Sequence, residues 1–179
     1  MTADGGPRTL PDLLIPGLDL VFVGINPGEE SARRGHYYAH PGNGFWPALS
    51  ASGLVARAVT CEDDRALADE ARIGFTDVVK RVVTDSTQIT DTELRDSLAA
   101  FRARIGYARP RVVCFTSARA FDTCFPGVRA AKGWGRQAAS IGDAEVWVMP
   151  STSGLAAGLR PQMRAGLANL ASELREGAA

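Results

Sequence analysis

The run Leu20–Gly24, "LVFVG", constrains the fold most, because it is apolar without alternation and stops abruptly in "INPG". A strand that is apolar at every position is buried on both faces, which happens where helices cover both sides of a parallel sheet. Two further runs repeat the pattern: "RVVCFTS", Arg111–Ser117, which follows Pro110, and "AEVWVMP", Ala144–Pro150. "IGFTDVV", Ile73–Val79, reads either as a fourth, shorter strand or as a loop entering the core. Helical patterns separate these runs. "TDTELRDSLAAFRARIG" opens with Thr90 three residues before Glu93, a capping box, and steps Leu94, Leu98, Phe101 and Ile105 along one face. "LRPQMRAGLANLASELRE" aligns Leu159, Met163, Leu167, Leu170 and Leu174, with Pro161 in the first turn. "FWPALSASGL" reads as a short helix closed by Gly53. Strand and helix thus alternate, which predicts an α/β layered domain with a mainly parallel sheet.

A chain of 179 residues with 45% apolar residues can bury one core, so a single domain is expected over residues 16–176. Residues 1–15 read as a flexible lead-in; they lack the basic start and long apolar core of a signal peptide. Cys61, Cys114 and Cys124 are far apart and form no CxxC pair. This argues against a disulfide framework, a zinc ribbon or an iron–sulfur site, and for a reducing, cytoplasmic setting. No run of about 18 apolar residues is present, so no membrane span is expected. The net charge is zero, but eight basic residues against Asp122 alone fall between Arg102 and Arg136, and ten acids against five basic residues fall between Glu62 and Asp96. That asymmetry is compatible with a basic side that binds a polyanion and equally with ordinary solvated faces.

In α/β folds of this kind ligands bind beyond the carboxyl ends of the strands. Two such ends carry polar, glycine-bearing loops, "GINPG" and "MPSTSGLAAG", and the two loops are expected to converge on one cleft. Gly24 and Gly28 allow close backbone approach or positive φ, and Pro27 biases Asn26 toward an extended backbone. The Asn26 amide offers an acceptor and two donors. It suits a water or a heterocycle edge, and it also suits an Asx turn. "GHYYAHPGNGFW", Gly35–Trp46, supplies either an aromatic platform for a flat base or a satellite core under a loop. His36 and His40 have no third ligand, so no metal or cofactor is expected. In the second loop, hydroxyls and Gly154 suit phosphate contacts, and Leu155 is either a wedge for a base stack or a packed side chain.

Together these segments resemble the mismatch-specific uracil-DNA glycosylase and thymine-DNA glycosylase branch of the uracil-DNA glycosylase superfamily. The resemblance runs from about Pro16 to Leu174 and is carried by "VFVGINPG", "GHYYAHPGNGFW", "GFTDVV", "KGWGRQ" and "VWVMPSTSG". It implies a three-layer α/β/α fold with a central, mainly parallel sheet of about four strands. It implies a monomeric, monofunctional enzyme that flips uracil, and less well thymine, out of a mispair with guanine in double-stranded DNA and hydrolyses the N-glycosidic bond. By the same resemblance Asn26 helps hold the attacking water. Asp77 orients that water or stabilises cationic sugar, unless it is merely a strand-end cap. The resemblance places Gly24, Ile25, Gly28, Ser31, His36, Tyr38 and Asn43 around the base, with Tyr38 stacking on it and Ser31 near its C5 edge. It puts Ser151 and Ser153 on phosphates and Gly154 and Leu155 in the helix. Ala156 and Ala157 stand where relatives can carry polar or basic residues, and the loop has no His to assist the leaving base. Two other readings remain: a lesion-binding module that holds a flipped base without cleaving, and a nucleotide-binding domain, which lacks GxGxxG and GxxxxGK[ST].

Overall fold

The apolar runs become neighbouring strands of one sheet. In the computed structural model, which describes residues 9–129 and 133–177, β1 is Leu20–Gly24, β2 is Ile73–Asp77, β3 is Val112–Phe115, β4 is Gly135–Ile141 and β5 is Ala144–Val148. Their order across the sheet is β2-β1-β3-β5-β4. The first four in that order are mutually parallel, and β4 pairs antiparallel with β5 at one edge. The helices are α1 (Glu29–Arg34), α2 (Phe45–Ala51), α3 (Leu67–Glu70), α4 (Asp91–Ala108), α5 (Ala118–Cys124) and α6 (Arg160–Glu176). The sheet therefore has five strands where about four were expected. The extra one, β4, alternates half-buried and exposed along most of its length, so no apolar run announces it.

Side chains on alternate residues of a strand point to opposite faces. Phe22, Phe75, Cys114 and Trp147 meet Phe45, Trp46, Met163, Leu167 and Leu170, from α2 and α6, on one face. Val21, Val23, Val113, Phe115, Val146 and Val148 meet Leu94, Phe101, Ile105 and Phe121, from α4 and α5, on the other. This gives the three layers. The α4 prediction holds for Leu94, Phe101 and Ile105, which are buried, and Thr90 Oγ1 accepts from the Glu93 N–H at 3.1 Å. The Glu93 carboxylate, however, pairs with Arg81 and does not complete a capping box. On α6 the expected stripe begins at Met163. Leu159 is exposed, because a 3₁₀ turn over Gly154–Leu159 precedes the helix.

The start of the chain is more engaged than a lead-in. Residues 1–8 of the expected lead-in lie outside the described residues, but Leu10 is buried in the core. Leu13 forms an antiparallel bridge with Phe75, exchanging both backbone hydrogen bonds with it (2.9 and 3.1 Å). This strap covers the outer edge of β2, which would otherwise present unpaired backbone groups. Most of the basic residues from Arg102 to Arg136 are paired within the chain, while Arg109 is exposed. Arg104, Arg111, Arg119, Arg129 and Arg136 pair with Asp12, Asp19, Asp91, Asp122 and Glu145, and Arg102 donates to the Cys124 carbonyl. Lys132 lies outside the described residues.

Candidate active site

The chain leaves β1 toward β2 on one side and returns past it to β3 on the other. The carboxyl end of β1 is therefore the switch point of the sheet, where such folds open a crevice. Gly24 pairs with Asp77 across β1 and β2. One step beyond the last β1–β3 pair, Thr116 N–H donates to Val23 O at 2.9 Å, and Met149 N–H donates to Phe115 O at 2.9 Å. By strand parity Asp77, Gly24, Thr116 and Met149 form one row on the aromatic face of the sheet. The glycine in that row is required by contact. A Cβ at Gly24 would sit 2.4 Å from Asp77 Oδ1 and 3.9 Å from the Tyr38 hydroxyl. Gly28, by contrast, has φ −77° as the N-cap of α1, and a Cβ there would meet nothing within 4 Å. The expectation of close approach holds for Gly24 and not for Gly28.

Asp77 is 4% exposed, and its Oδ2 is buried with no hydrogen-bond partner. Burial pushes its carboxyl up to about 7; Lys80 draws it down, Asp12 raises it, and Arg104 draws it down again. An unpartnered buried carboxylate is costly to a fold. A strand-end cap does not explain it, because a cap accepts hydrogen bonds and this side chain accepts none among the described residues.

Asn26 is anchored through its nitrogen. Nδ2 donates to Pro27 O at 2.9 Å and to Val83 O at 2.8 Å, so both amide protons are spent. Two carbonyl partners also fix which end of the amide is which. Oδ1 is left as an acceptor with no donor to it among the described residues. The side chain is thus narrowed from the acceptor and two donors available in principle to one aimed acceptor. The loops bearing it are zipped together: Val78, Val79 and Val83 N–H groups donate to Gly24, Ile25 and Pro27 carbonyls at 3.0, 2.8 and 3.1 Å.

Tyr38 roofs this floor. It has φ +52°, a left-handed conformation that costs a bulky residue about 1–2 kcal/mol. Its ring stacks on Phe45 (4.2 Å between centroids, 24° between planes), and its hydroxyl lies 3.1 Å from Thr116 Oγ1. Thr116 gives its own proton to Val23 O at 3.1 Å, so the Tyr38 hydroxyl is the donor in that pair and keeps its lone pairs free. Burial, and next the charge of Asp77, holds the phenol well above its usual range and therefore neutral. No second aromatic ring stacks on Tyr38 among the described residues.

Other expected base-site residues are engaged elsewhere. His36 Nδ1 lies 3.0 Å from Oδ1 of the fully buried Asp64, whose Oδ2 accepts the Tyr37 N–H at 2.9 Å. Ser31 Oγ accepts the Ala39 N–H at 3.1 Å and is buried. The Ile25 side chain packs on the α4-side core. Asn43 Oδ1 accepts the Phe45 N–H at 2.9 Å and starts α2. Ser31, His36 and Asn43 shape the loop that carries Tyr38, Ile25 packs on the other side of the sheet, and no direct position over the Gly24 floor is seen for any of the four. Gly44 N–H donates to Thr152 O at 2.8 Å, and Arg160 Nη2 donates to Gly42 O at 3.1 Å, so the aromatic loop and the 149–159 loop are docked together. The partner differs from the expected one: the 149–159 loop docks on the aromatic loop, and no hydrogen bond joins it to Gly24–Gly28 among the described residues. Ser151 and Gly154 are exposed, Ser153 is half-buried, and Leu155 is fully exposed, which removes its packed alternative. Among the described residues no group of three or more His, Cys, Asp or Glu side chains is placed to hold a metal ion, and no helix is long and apolar enough to cross a membrane.

Sequence reasoning missed Asp12, Asp64, Lys80, Arg104, Thr116 and Arg160. Only Thr116 carried a signal, as the polar residue ending the apolar run "RVVCF". The others act across separations of 26 to 118 residues.

A buried carboxylate without a hydrogen-bond partner, an aimed amide oxygen and an aromatic side chain thus meet at the switch point of the sheet. The model of the Uracil DNA glycosylase superfamily matches residues 11–173, and the chain belongs to that superfamily. The protein is accordingly a DNA glycosylase, a hydrolase acting on DNA. The solution NMR structure of a protein from Methanosarcina acetivorans, named as a candidate uracil DNA glycosylase, is similar in fold: TM-score 0.65, 22% identity, covering 94% of this chain and 98% of that one.

Proposed function

We propose that the protein removes uracil mispaired with guanine from duplex DNA, with Asp77 as the general base and Asn26 as the acceptor that aims the water. The observation that carries this reading is the unpartnered, buried Asp77 carboxylate beside the side-chain-free floor at Gly24. The base leaves the stack and enters under Tyr38. The C1′–N1 bond breaks with its electron pair going to the base, and the water oxygen bonds C1′. Its proton passes to Asp77, whose pKa of about 7 is matched to that task near neutral pH. While ionised, the same carboxylate stabilises positive charge on the sugar. No His stands in the 149–159 loop to protonate the base, so turnover is slow and good leaving groups are favoured.

Flipping costs a few kcal/mol and least at a mispair. In this reading Leu155, which is fully exposed, fills the space vacated in the helix. Uracil is favoured over thymine in this reading. The test is single-turnover excision from labelled duplexes carrying U:G, U:A and T:G pairs, read by alkali-induced strand breakage. Breakage fastest with U:G supports the reading. Tight binding without abasic product would instead make the protein a holder of flipped bases.

A further inference from the structure

We infer that Asp12, Lys80 and Arg104 form a charge relay station on the outer edge of β2 that sets the fraction of Asp77 ionised, making Lys80 and Asp12 positioning residues for the reaction. The inference rests on the reading of Asp77 as general base.

Three elements meet there. The N-terminal strap brings Asp12, the loop after β2 brings Lys80, and α4 brings Arg104. Asp12 Oδ1 accepts from Lys80 Nζ at 2.9 Å and from Thr76 Oγ1 at 2.6 Å, while Arg104 Nε lies 3.2 Å from Asp12 Oδ2, an ion pair without hydrogen-bond alignment. Arg104 Nη2 donates to the backbone carbonyls of Asp77 itself, at 2.6 Å, and of Val78, at 3.4 Å. Lys80 Nζ also reaches the Tyr37 hydroxyl at 3.4 Å, which in turn donates to Pro11 O at 3.1 Å. The strap is tied to the same loop by Thr9 Oγ1, which donates to Lys80 O at 2.6 Å. All three charged side chains are between one-fifth and one-third exposed, so water screens them only partly.

The arrangement has a net charge of one cation. The groups facing Asp77 are Asp12 from the strap, Tyr37 and Tyr38 from the aromatic loop, Lys80 from its own following loop and Arg104 from α4. Both tyrosines are held neutral by burial. The two cations thus oppose the desolvation of Asp77, and Asp12 partly cancels them while fixing where they sit. A purely structural clamp predicts that breaking either partner has the same sign of effect. An electrostatic one predicts opposite signs. Loss of the Lys80 cation raises the Asp77 pKa, and loss of the Asp12 anion lowers it.

The experiment titrates the Asp77 carboxyl by carbon-13 NMR, assigned against Asp77→Asn, in the full chain, alongside the acidic limb of single-turnover U:G excision. Lys80→Met is expected to move both midpoints up by about one pH unit, so that excision well below the limb falls about tenfold. Lys80→Arg is expected to restore them, and Asp12→Asn to move them down. Midpoints unchanged in Lys80→Met, or shifted in the same direction by Lys80→Met and Asp12→Asn, overturn the inference. Should Asp12→Asn unfold, the contrast between Lys80→Met and Lys80→Arg decides alone. Should Asp77→Asn excise uracil at the wild-type rate, the general-base reading falls, while the NMR midpoints still decide whether the relay acts on Asp77.

Discussion

Replacing Asp77 with Asn is expected to stabilise the fold while it removes the chemistry, and the size of that gain follows from the site. The folded carboxyl is raised from the ordinary 3.8 to about 7, mainly by burial. The folded state therefore binds the proton more tightly than the unfolded chain, so stability from this group is fully present below about pH 4 and is lost as pH rises through about 7. A pKa raised this far in the folded state means that the ionised carboxylate costs the wild-type fold about 4 kcal/mol above neutrality, at about 1.4 kcal/mol for each pH unit between the two values. That figure is an upper bound, because the side chain and its surroundings relax. Asn carries no charge and escapes this cost, though its amide still needs hydrogen-bond partners in the same site. We expect Asp77→Asn to be more stable than wild type by about 2–4 kcal/mol at about pH 8.5, and the advantage to shrink to under about 1 kcal/mol at about pH 4. In a domain of this size that is a rise in Tm of roughly 4–16 °C at the higher pH. Urea unfolding of both proteins across the pH range measures it. A variant that is equally or less stable at the higher pH, or a gain independent of pH, would refute the claim that Asp77 is a buried acid without a hydrogen-bond partner.

Gly24→Ala drives a Cβ to within 2.4 Å of Asp77 Oδ1; we expect at least about a hundredfold loss of excision rate and a destabilisation of about 1–3 kcal/mol, checked by single-turnover kinetics and urea unfolding. Asn26→Asp keeps an oxygen but loses the two protons given to Pro27 O and Val83 O, so a carboxylate is turned against carbonyls. It should lose stability by about 1–3 kcal/mol and slow excision, although a stronger base has been introduced. Leu155→Ala removes a fully exposed side chain, so Tm should stay within about 1 °C, while excision from a well-paired U:A duplex falls more than from U:G.

The parallel core was legible because its strands are apolar at every position, and the two active-site loops because each such run ended in glycine and polar residues. β4 was not, because "GRQAASI" is an edge strand with a polar outer side. A cue did exist: Gly142, at φ +59°, and Asp143 form the two-residue turn into β5. The basic run left two readings open because the acids that pair with it come from elsewhere in the chain, as Asp91 for Arg119 and Asp19 for Arg111. Asn26 and Asp77 could be picked as a pair. That Asn26 offers only its oxygen, and that Asp77 lacks any partner, depends on Val83, Lys80 and Asp12, whose positions no local pattern predicts. His36 and Ser31 show the reverse case: their residue types suit base contacts, but Asp64 and the Ala39 N–H claim them.

The central claim is that hydrolysis depends on the ionised Asp77 carboxylate at the end of β2. The most direct measurement is the single-turnover excision rate on a U:G duplex against pH, for wild type and Asp77→Asn, with enzyme saturating so that DNA binding drops out. The account predicts a wild-type rate that rises with pH to a plateau, with a midpoint near 7, and an Asp77→Asn rate reduced by about a hundredfold or more with no such rise. A wild-type rate independent of pH through neutrality, or an Asp77→Asn rate equal to wild type, would contradict it.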